Sequence, residues 1–172
     1  NVRLVEPLAE GGMSQVWVAD HLGLDAQVAV KFISTALIDK DPSLRERFKR
    51  EAAISAQLRD AHTVQTFDHG VTDDGTPYIV MELLDGSDLT QEVIEGGPLP
   101  LHDVATVVRQ VARVLHRAHV LGIVHRDIKP DNIFLADSED DLQVKVLDFG
   151  IAKQTRVSDK LREVTRTGAV IG

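Results

Sequence analysis

The sequence predicts an α+β fold in which a five-stranded antiparallel sheet with one helix comes first and a mainly helical part follows. Three observations carry this. Short β-type runs crowd the first half, with a single helical run among them. Turn residues separate neighbouring strands, and a long amphipathic run begins near residue 101.

The first two strands are predicted at 2–9 and 15–20, joined as a hairpin through Glu10-Gly11-Gly12-Met13-Ser14. Residues 28–33 alternate as a third strand, with Val28, Val30 and Phe32 on one face and Ala29, Lys31 and Ile33 on the other. A lysine among small and apolar neighbours must meet an anion, because its burial is otherwise costly. Asp41-Pro42-Ser43 opens a helix along which Leu44, Phe48, Ala52, Ser55 and Leu58 recur at helical spacing. Strands at 64–69 and 76–83, turned by Asp73-Asp74-Gly75, complete the sheet.

Leu83-Leu84-Asp85-Gly86-Ser87 marks a boundary, dividing the chain into residues 1–84 and 85–172. A short helix at 89–94 ends at Gly96-Gly97-Pro98. The helix at 101–121 carries Val104, Val107, Val108, Val111, Val114, Leu115 and Ala118 as its apolar side, and Gly122 stops it. Strands at 133–136 and 144–147 flank Ser138-Glu139-Asp140-Asp141, read as a solvated turn. His116 and His119 share a helix surface, but no third metal ligand accompanies them.

The 172 residues suffice for one ordinary domain or two small lobes, and 43% hydrophobic with 27% charged content is that of a globular protein. A net charge of −8 argues against nucleic acid as a partner. No cysteine is present, which excludes disulfides, thiol nucleophiles and zinc knuckles and suits a reducing cytoplasm. No apolar run is long enough to span a bilayer, and no signal peptide is visible. Opening at Asn1 and stopping at Gly172, the sequence reads as an excerpt.

The chemistry concentrates in His125-Arg126-Asp127-Ile128-Lys129-Pro130-Asp131-Asn132, followed by Asp148-Phe149-Gly150. This spacing resembles the catalytic loop and metal-binding triplet of the protein kinases, and the whole chain looks like a bacterial-type serine/threonine protein kinase. The resemblance implies a two-lobe fold, with 1–84 as N-lobe and 85–172 as a partial C-lobe ending inside the activation segment. It implies phosphoryl transfer from ATP, with magnesium, to serine or threonine of protein substrates. Asp127 is then the base or hydroxyl-orienting group and Lys129 the γ-phosphate cation. Asn132 and Asp148 are the metal ligands, and Lys31 pairs with phosphates and with Glu51.

By the same resemblance the nucleotide is held by the glycine loop Ala9, Glu10, Gly11, Gly12, Met13 and Ser14. Two of the family's three loop glycines are replaced here. Val16, Ala29, Met81, Phe134 and Asp88 surround it, and the main chain of Glu82 and Leu84 meets the adenine edge. His125 and Phe149 are structural, Arg126 faces a phosphorylated activation segment, and Thr165 and Thr167 are the sites of autophosphorylation, with a homodimer as its vehicle. Without the later C-lobe helices, the isolated 172 residues are expected to have little activity and an exposed apolar stripe on the 101–121 helix. A nucleotide-binding scaffold without phosphoryl transfer, and a small-molecule phosphotransferase of kinase-like fold, are the competing readings.

Overall fold

The computed structural model describes residues 2–11, 14–58, 60–136 and 142–149, leaving out the side chains of residues 47, 50, 51 and 54–56. Gly12, Met13, Thr165, Thr167 and the side chain of Glu51 therefore lie outside the described residues.

The N-terminal half is the expected five-stranded sheet, built from β1 (Val2–Glu10), β2 (Ser14–His21), β3 (Ala26–Ile33), β4 (Thr66–Val71) and β5 (Pro77–Glu82). Its order is β1-β2-β3-β5-β4, with every pair antiparallel. Strand alternation gives β3 two apolar faces. Val28 and Val30 join Ala19 and Val80 in one cluster, with Phe32 and Tyr78 packed against it. On the opposite face Ile79 packs with Phe48 and Ala52 of α2 (Ser43–Gln57). The sequence reading placed that helix correctly but omitted α1 (Thr35–Lys40), whose six residues bury only Ile38. A helix so short shows no periodicity to read.

The C-terminal half adds β6 (Gly86–Asp88), α3 (Leu89–Gly96), α4 (Leu101–Val120), a 3-10 turn at Pro130–Asn132, β7 (Ile133–Ala136) and β8 (Gln143–Val146). The three strands form a second antiparallel sheet in the order β6-β7-β8. Asp88 caps α3 by accepting the Gln91 N–H at 2.9 Å. Gly86 has φ +127°, and a Cβ there would fall 2.1 Å from the Leu135 carbonyl oxygen, so only glycine fits the pairing with β7.

Helix α4 buries Val107, Val111, Val114 and Ala118 against Ile133, Leu135, Val144 and Val146. Val104 and Val108, read from sequence as part of the same side, are exposed instead. At 3.6 residues per turn they belong, with Leu101, to the adjoining stripe.

Residues 60–63 fasten the two halves together away from the chain crossing at Leu84. Val146 N–H donates to the His62 carbonyl at 2.8 Å, and His62 Nδ1 donates to the Val144 carbonyl at 3.1 Å. Arg117 Nη1 on α4 stands 2.5 Å from the buried Asp60 Oδ2, an ion pair without hydrogen-bond alignment. Among the described residues, no helix is long and apolar enough to cross a membrane.

Candidate active site

Strand register alone gathers one wall of a cleft. Ala9 pairs with Val16, Val16 with Lys31, and Lys31 with Ile79; beside them Ala29 pairs with Met81 and Met81 with Thr66. Residues opposite one another in a ladder share a face. All seven line a cavity of about 470 Å³, closed on its other side by Phe134, Val146, Leu147 and Asp148. Ser14, Glu82, Leu84 and Asp88 also line it, so most of the residues singled out from sequence for nucleotide binding converge here. Its size suits a small-molecule ligand.

Glu10 and Gly11 do not face this cavity. They line a larger groove of about 840 Å³ on the other side of the hairpin, with Trp17, Phe32 and Asp74. Volume does not decide between the two. The smaller cavity holds a buried cation against a carboxylate, the arrangement that binds charged ligands and perturbs chemistry.

That pair is Lys31 and Asp148. Lys31 is buried, as its place in an apolar strand demands, and its Nζ lies 2.5 Å from Asp148 Oδ1. The anion required by the sequence is thus supplied from a residue 117 positions away.

The stretch from His125 to Asn132 is tied into a single unit. Asn132 Nδ2 donates to the Asp127 carbonyl at 2.8 Å and to its Oδ2 at 3.3 Å. Both backbone polar groups of Leu147 are held by the same unit: its N–H donates to the Asn132 carbonyl at 2.9 Å, and its carbonyl accepts from His125 Nε2 at 2.8 Å. Asp148 is therefore placed by its predecessor, whose peptide groups are fixed from the His125–Asn132 stretch. Lys129 stays exposed, 3.7 Å from Asp131, which lines the cavity.

A carbonyl can only accept and a backbone N–H can only donate, so the contacts of His125 define its tautomer. Nε2 carries the proton, and Nδ1 accepts the Asp127 N–H at 3.3 Å. Burial holds the imidazole below its ordinary pKa, outweighing the Leu147 carbonyl and the Asp127 and Asp148 charges that raise it. Its ring packs on Phe149 with centroids 4.7 Å apart, as expected of the pair. Arg126 (φ 64°) and Asp148 (φ 39°) both occupy the left-handed region. Outside glycine this conformation costs about 1–2 kcal/mol, and here it occurs on either side of the His125 contact.

The donor set suits a hard cation that brings oxygen ligands of its own. Asn132 uses its amide nitrogen on Asp127, so its Oδ1 could serve as a metal ligand, and its backbone carbonyl holds Leu147, the residue before Asp148, whose carboxylate could serve as another. Among the described residues, no three His, Asp or Glu side chains gather to hold an ion unaided. Phosphate oxygens would complete such a site.

Sequence reasoning missed Lys145, a buried cation on β8 whose Nζ lies 2.8 and 3.0 Å from the two carboxylate oxygens of Glu82. The signal was available, since Val144-Lys145-Val146 repeats the pattern of Val30-Lys31-Phe32.

Comparison with known proteins agrees with this geometry. The protein kinase domain family model matches residues 2–169. The chain is 42% identical over 168 residues to "Probable serine/threonine-protein kinase PknB" of Corynebacterium glutamicum, which covers 96% of this chain and 25% of that protein. Serine/threonine-protein kinase Pkn1 of Myxococcus xanthus is 41% identical over 171 residues, covering 99% of this chain and 24% of its own length. The crystal structure of the Mycobacterium tuberculosis PknI kinase domain superposes with a TM-score of 0.76 at 35% identity, covering 89% of this chain and 61% of that one. The chain thus spans about a quarter of the length of these curated relatives. A family match over nearly every residue, together with a shared fold, means that this chain belongs to the protein kinase family, and the relatives named are bacterial serine/threonine kinases.

Proposed function

We propose that the chain is the nucleotide-binding and catalytic-loop portion of a serine/threonine protein kinase, with residues 1–84 acting as N-lobe and 85–172 as the start of the C-lobe. The observation that carries the reading is the Lys31–Asp148 ion pair in a cavity of ligand size, with the Asp127–Asn132 unit bonded to Leu147, the residue before Asp148.

In this reading adenine sits between Val16, Ala29, Met81 and Phe134, with the main chain of Glu82 and Leu84 at its edge. Lys31, oriented by Glu51, and Lys129 neutralise phosphate charge. Magnesium bound to Asp148 and Asn132 would supply charge neutralisation on the phosphates as the transferred group loosens. The substrate Ser or Thr oxygen forms a bond to the γ-phosphorus as the bond from that phosphorus to the β–γ bridging oxygen breaks. ADP departs with the bridging oxygen, and the hydroxyl proton passes to the Asp127 carboxylate. Little covalent work falls to the protein, so positioning and charge stabilisation supply the rate.

Thr165 and Thr167 are the sites at which we expect autophosphorylation, between two copies of the kinase. A phosphate there would give Arg126 a charge-assisted partner. Residues 1–172 alone retain nucleotide affinity but little transfer activity. The working compartment is the cytoplasm, where ATP is available and a chain without cysteine needs no oxidant.

The test is incubation of the parent domain, and separately of residues 1–172, with labelled ATP and magnesium, followed by mapping of the phosphate. Label on Thr165 or Thr167 of the parent, lost with Asp127→Asn, supports the reading. Nucleotide binding with no transfer from the parent overturns it in favour of a signalling scaffold.

A further inference from the structure

The ion pair of Lys145 with Glu82 lies outside the roles assigned above. Lys145 is only 9% exposed, and its ammonium meets both oxygens of the carboxylate, at 2.8 and 3.0 Å. A lysine at that depth is tolerated only with its charge matched and its protons bonded. Glu82 is held from the opposite direction as well. The Gln65 N–H donates to its Oε1 at 2.7 Å, and its own N–H donates to the Gln65 carbonyl at 2.9 Å.

Placement gives the pair its meaning. Lys145 stands opposite Phe134 in the β7–β8 ladder. Val144 and Val146 enter the core, so alternation turns Lys145 to the face of Phe134, which lines the cavity. The same strand runs on into Asp148, while Glu82 ends β5 at the chain crossing. One side chain thus joins the strand that delivers the cleft carboxylate to the residue whose backbone reaches the adenine edge.

We propose that Lys145 is a positioning residue for nucleotide binding, its ion pair with Glu82 fixing the adenine-side backbone relative to the strand that carries Asp148. This rests on the kinase reading of the cavity. Without the pair, the side chain of Glu82 keeps its contact with Gln65, within the N-terminal half. The adenine side then loses its direct side-chain link to β8, the His62 bonds and the Lys31–Asp148 pair remaining, and a nucleotide must complete the ordering of the cleft as it binds. Affinity falls while the transfer step is left alone.

The experiment uses the complete kinase domain with Lys145→Met, Lys145→Arg, Glu82→Gln and the Lys145→Met/Glu82→Gln double variant. Glu82→Gln is isosteric and keeps the acceptor for the Gln65 N–H. KM for ATP and Kd for magnesium-ADP are expected to rise about five- to tenfold in Lys145→Met and Glu82→Gln, with kcat within about twofold. Lys145→Arg, which keeps the charge, stays near wild type. The double variant is no worse than either single one, because both remove the same interaction. Melting temperatures are read alongside. A loss of thermal stability with KM and Kd unchanged makes the pair structural and overturns the proposal. Should Lys145→Met fail to fold, Glu82→Gln decides by the same readouts. A parent domain without transfer activity overturns the kinase reading itself, whereas an active parent whose Glu82→Gln variant keeps its KM overturns only the positioning role.

Discussion

Lys31 Nζ and Asp148 Oδ1 lie 2.5 Å apart, so the cation buried in β3 is neutralised by a carboxylate from beyond the end of β8. The two groups proposed to handle phosphate and metal are thus in direct contact. Lys31→Met is expected to lower kcat/KM by at least about a hundredfold, the scale for removing one charge from a site built to stabilise a transferring group. Steady-state peptide phosphorylation by the complete domain measures it. Asp148→Asn is expected to reduce magnesium-dependent nucleotide affinity about tenfold or more and to leave the metal-independent part nearly unchanged, as read by titration calorimetry with and without magnesium.

Asp127 is bonded through its backbone and side chain to Asn132, which keeps its carboxylate beside the proposed metal ligand. A group that accepts a proton in the transition state contributes about 10²–10⁴-fold. Asp127→Asn should therefore cut kcat by that order while KM for ATP moves by less than about threefold. Wild-type turnover in this variant would remove Asp127 from the mechanism.

His125 gives stability a pH dependence of definite sign. Its folded pKa is depressed by burial below the ordinary value of 6.5, so above that value both folded and unfolded chains are neutral at this site. As pH falls through 6.5 the unfolded chain takes up a proton that folded His125 refuses, and stability declines until the folded pKa is reached. Denaturation midpoints should fall between pH 7 and 5.5, and His125→Phe should flatten that slope. The same variant loses the donor to the Leu147 carbonyl, which costs about 1–3 kcal/mol at neutral pH.

Gly86→Ala would place a Cβ at a position 2.1 Å from the Leu135 carbonyl oxygen, on a residue with φ +127°. Neither the backbone of β7 nor the left-handed angle yields cheaply. The expected loss is more than about 1 kcal/mol, measured by urea unfolding. A neutral outcome would show that β6 does not pair as described.

Asp60 has a side chain 3% exposed and relies on Arg117, itself 49% exposed. Arg117→Ala leaves the buried carboxylate to its remaining bond from the His62 N–H. With the partner half in solvent, a loss of about 1–3 kcal/mol is expected, partly recovered in Arg117→Ala/Asp60→Asn. Equal stability of the single and double variants would mean that the charge is not what matters.

Local pattern made much of this fold readable. The alternation of residues 28–33 was enough to place Lys31 on a face where it required an anion, and that face is the cleft wall. The spacing from His125 to Asn132 marked the unit now seen to hold Leu147. What escaped was whatever depends on a distant partner. Strand β6 has three residues and exists only because Leu135 and its neighbours lie beside it. The stripe on α4 was drawn too wide, because sequence shows which residues are apolar but not which of two adjoining faces meets β7 and β8. Asp60 with Arg117 and Glu82 with Lys145 join residues far apart in the chain, and nothing in either local stretch names the other partner. Glu10 and Gly11 turned away from the cleft because the hairpin tip has two sides, a distinction that composition does not carry.

The fastening at residues 60–63 has a mechanical consequence. The sheet and the helical half are joined by the covalent crossing around Leu84, by the bonds of His62 and Asp60 to β8 and α4, and by the Lys31–Asp148 and Glu82–Lys145 ion pairs. The peptide crossing is thus one link among several. A break in the chain at Leu84 would leave the others in place, and the two pieces would be expected to remain associated.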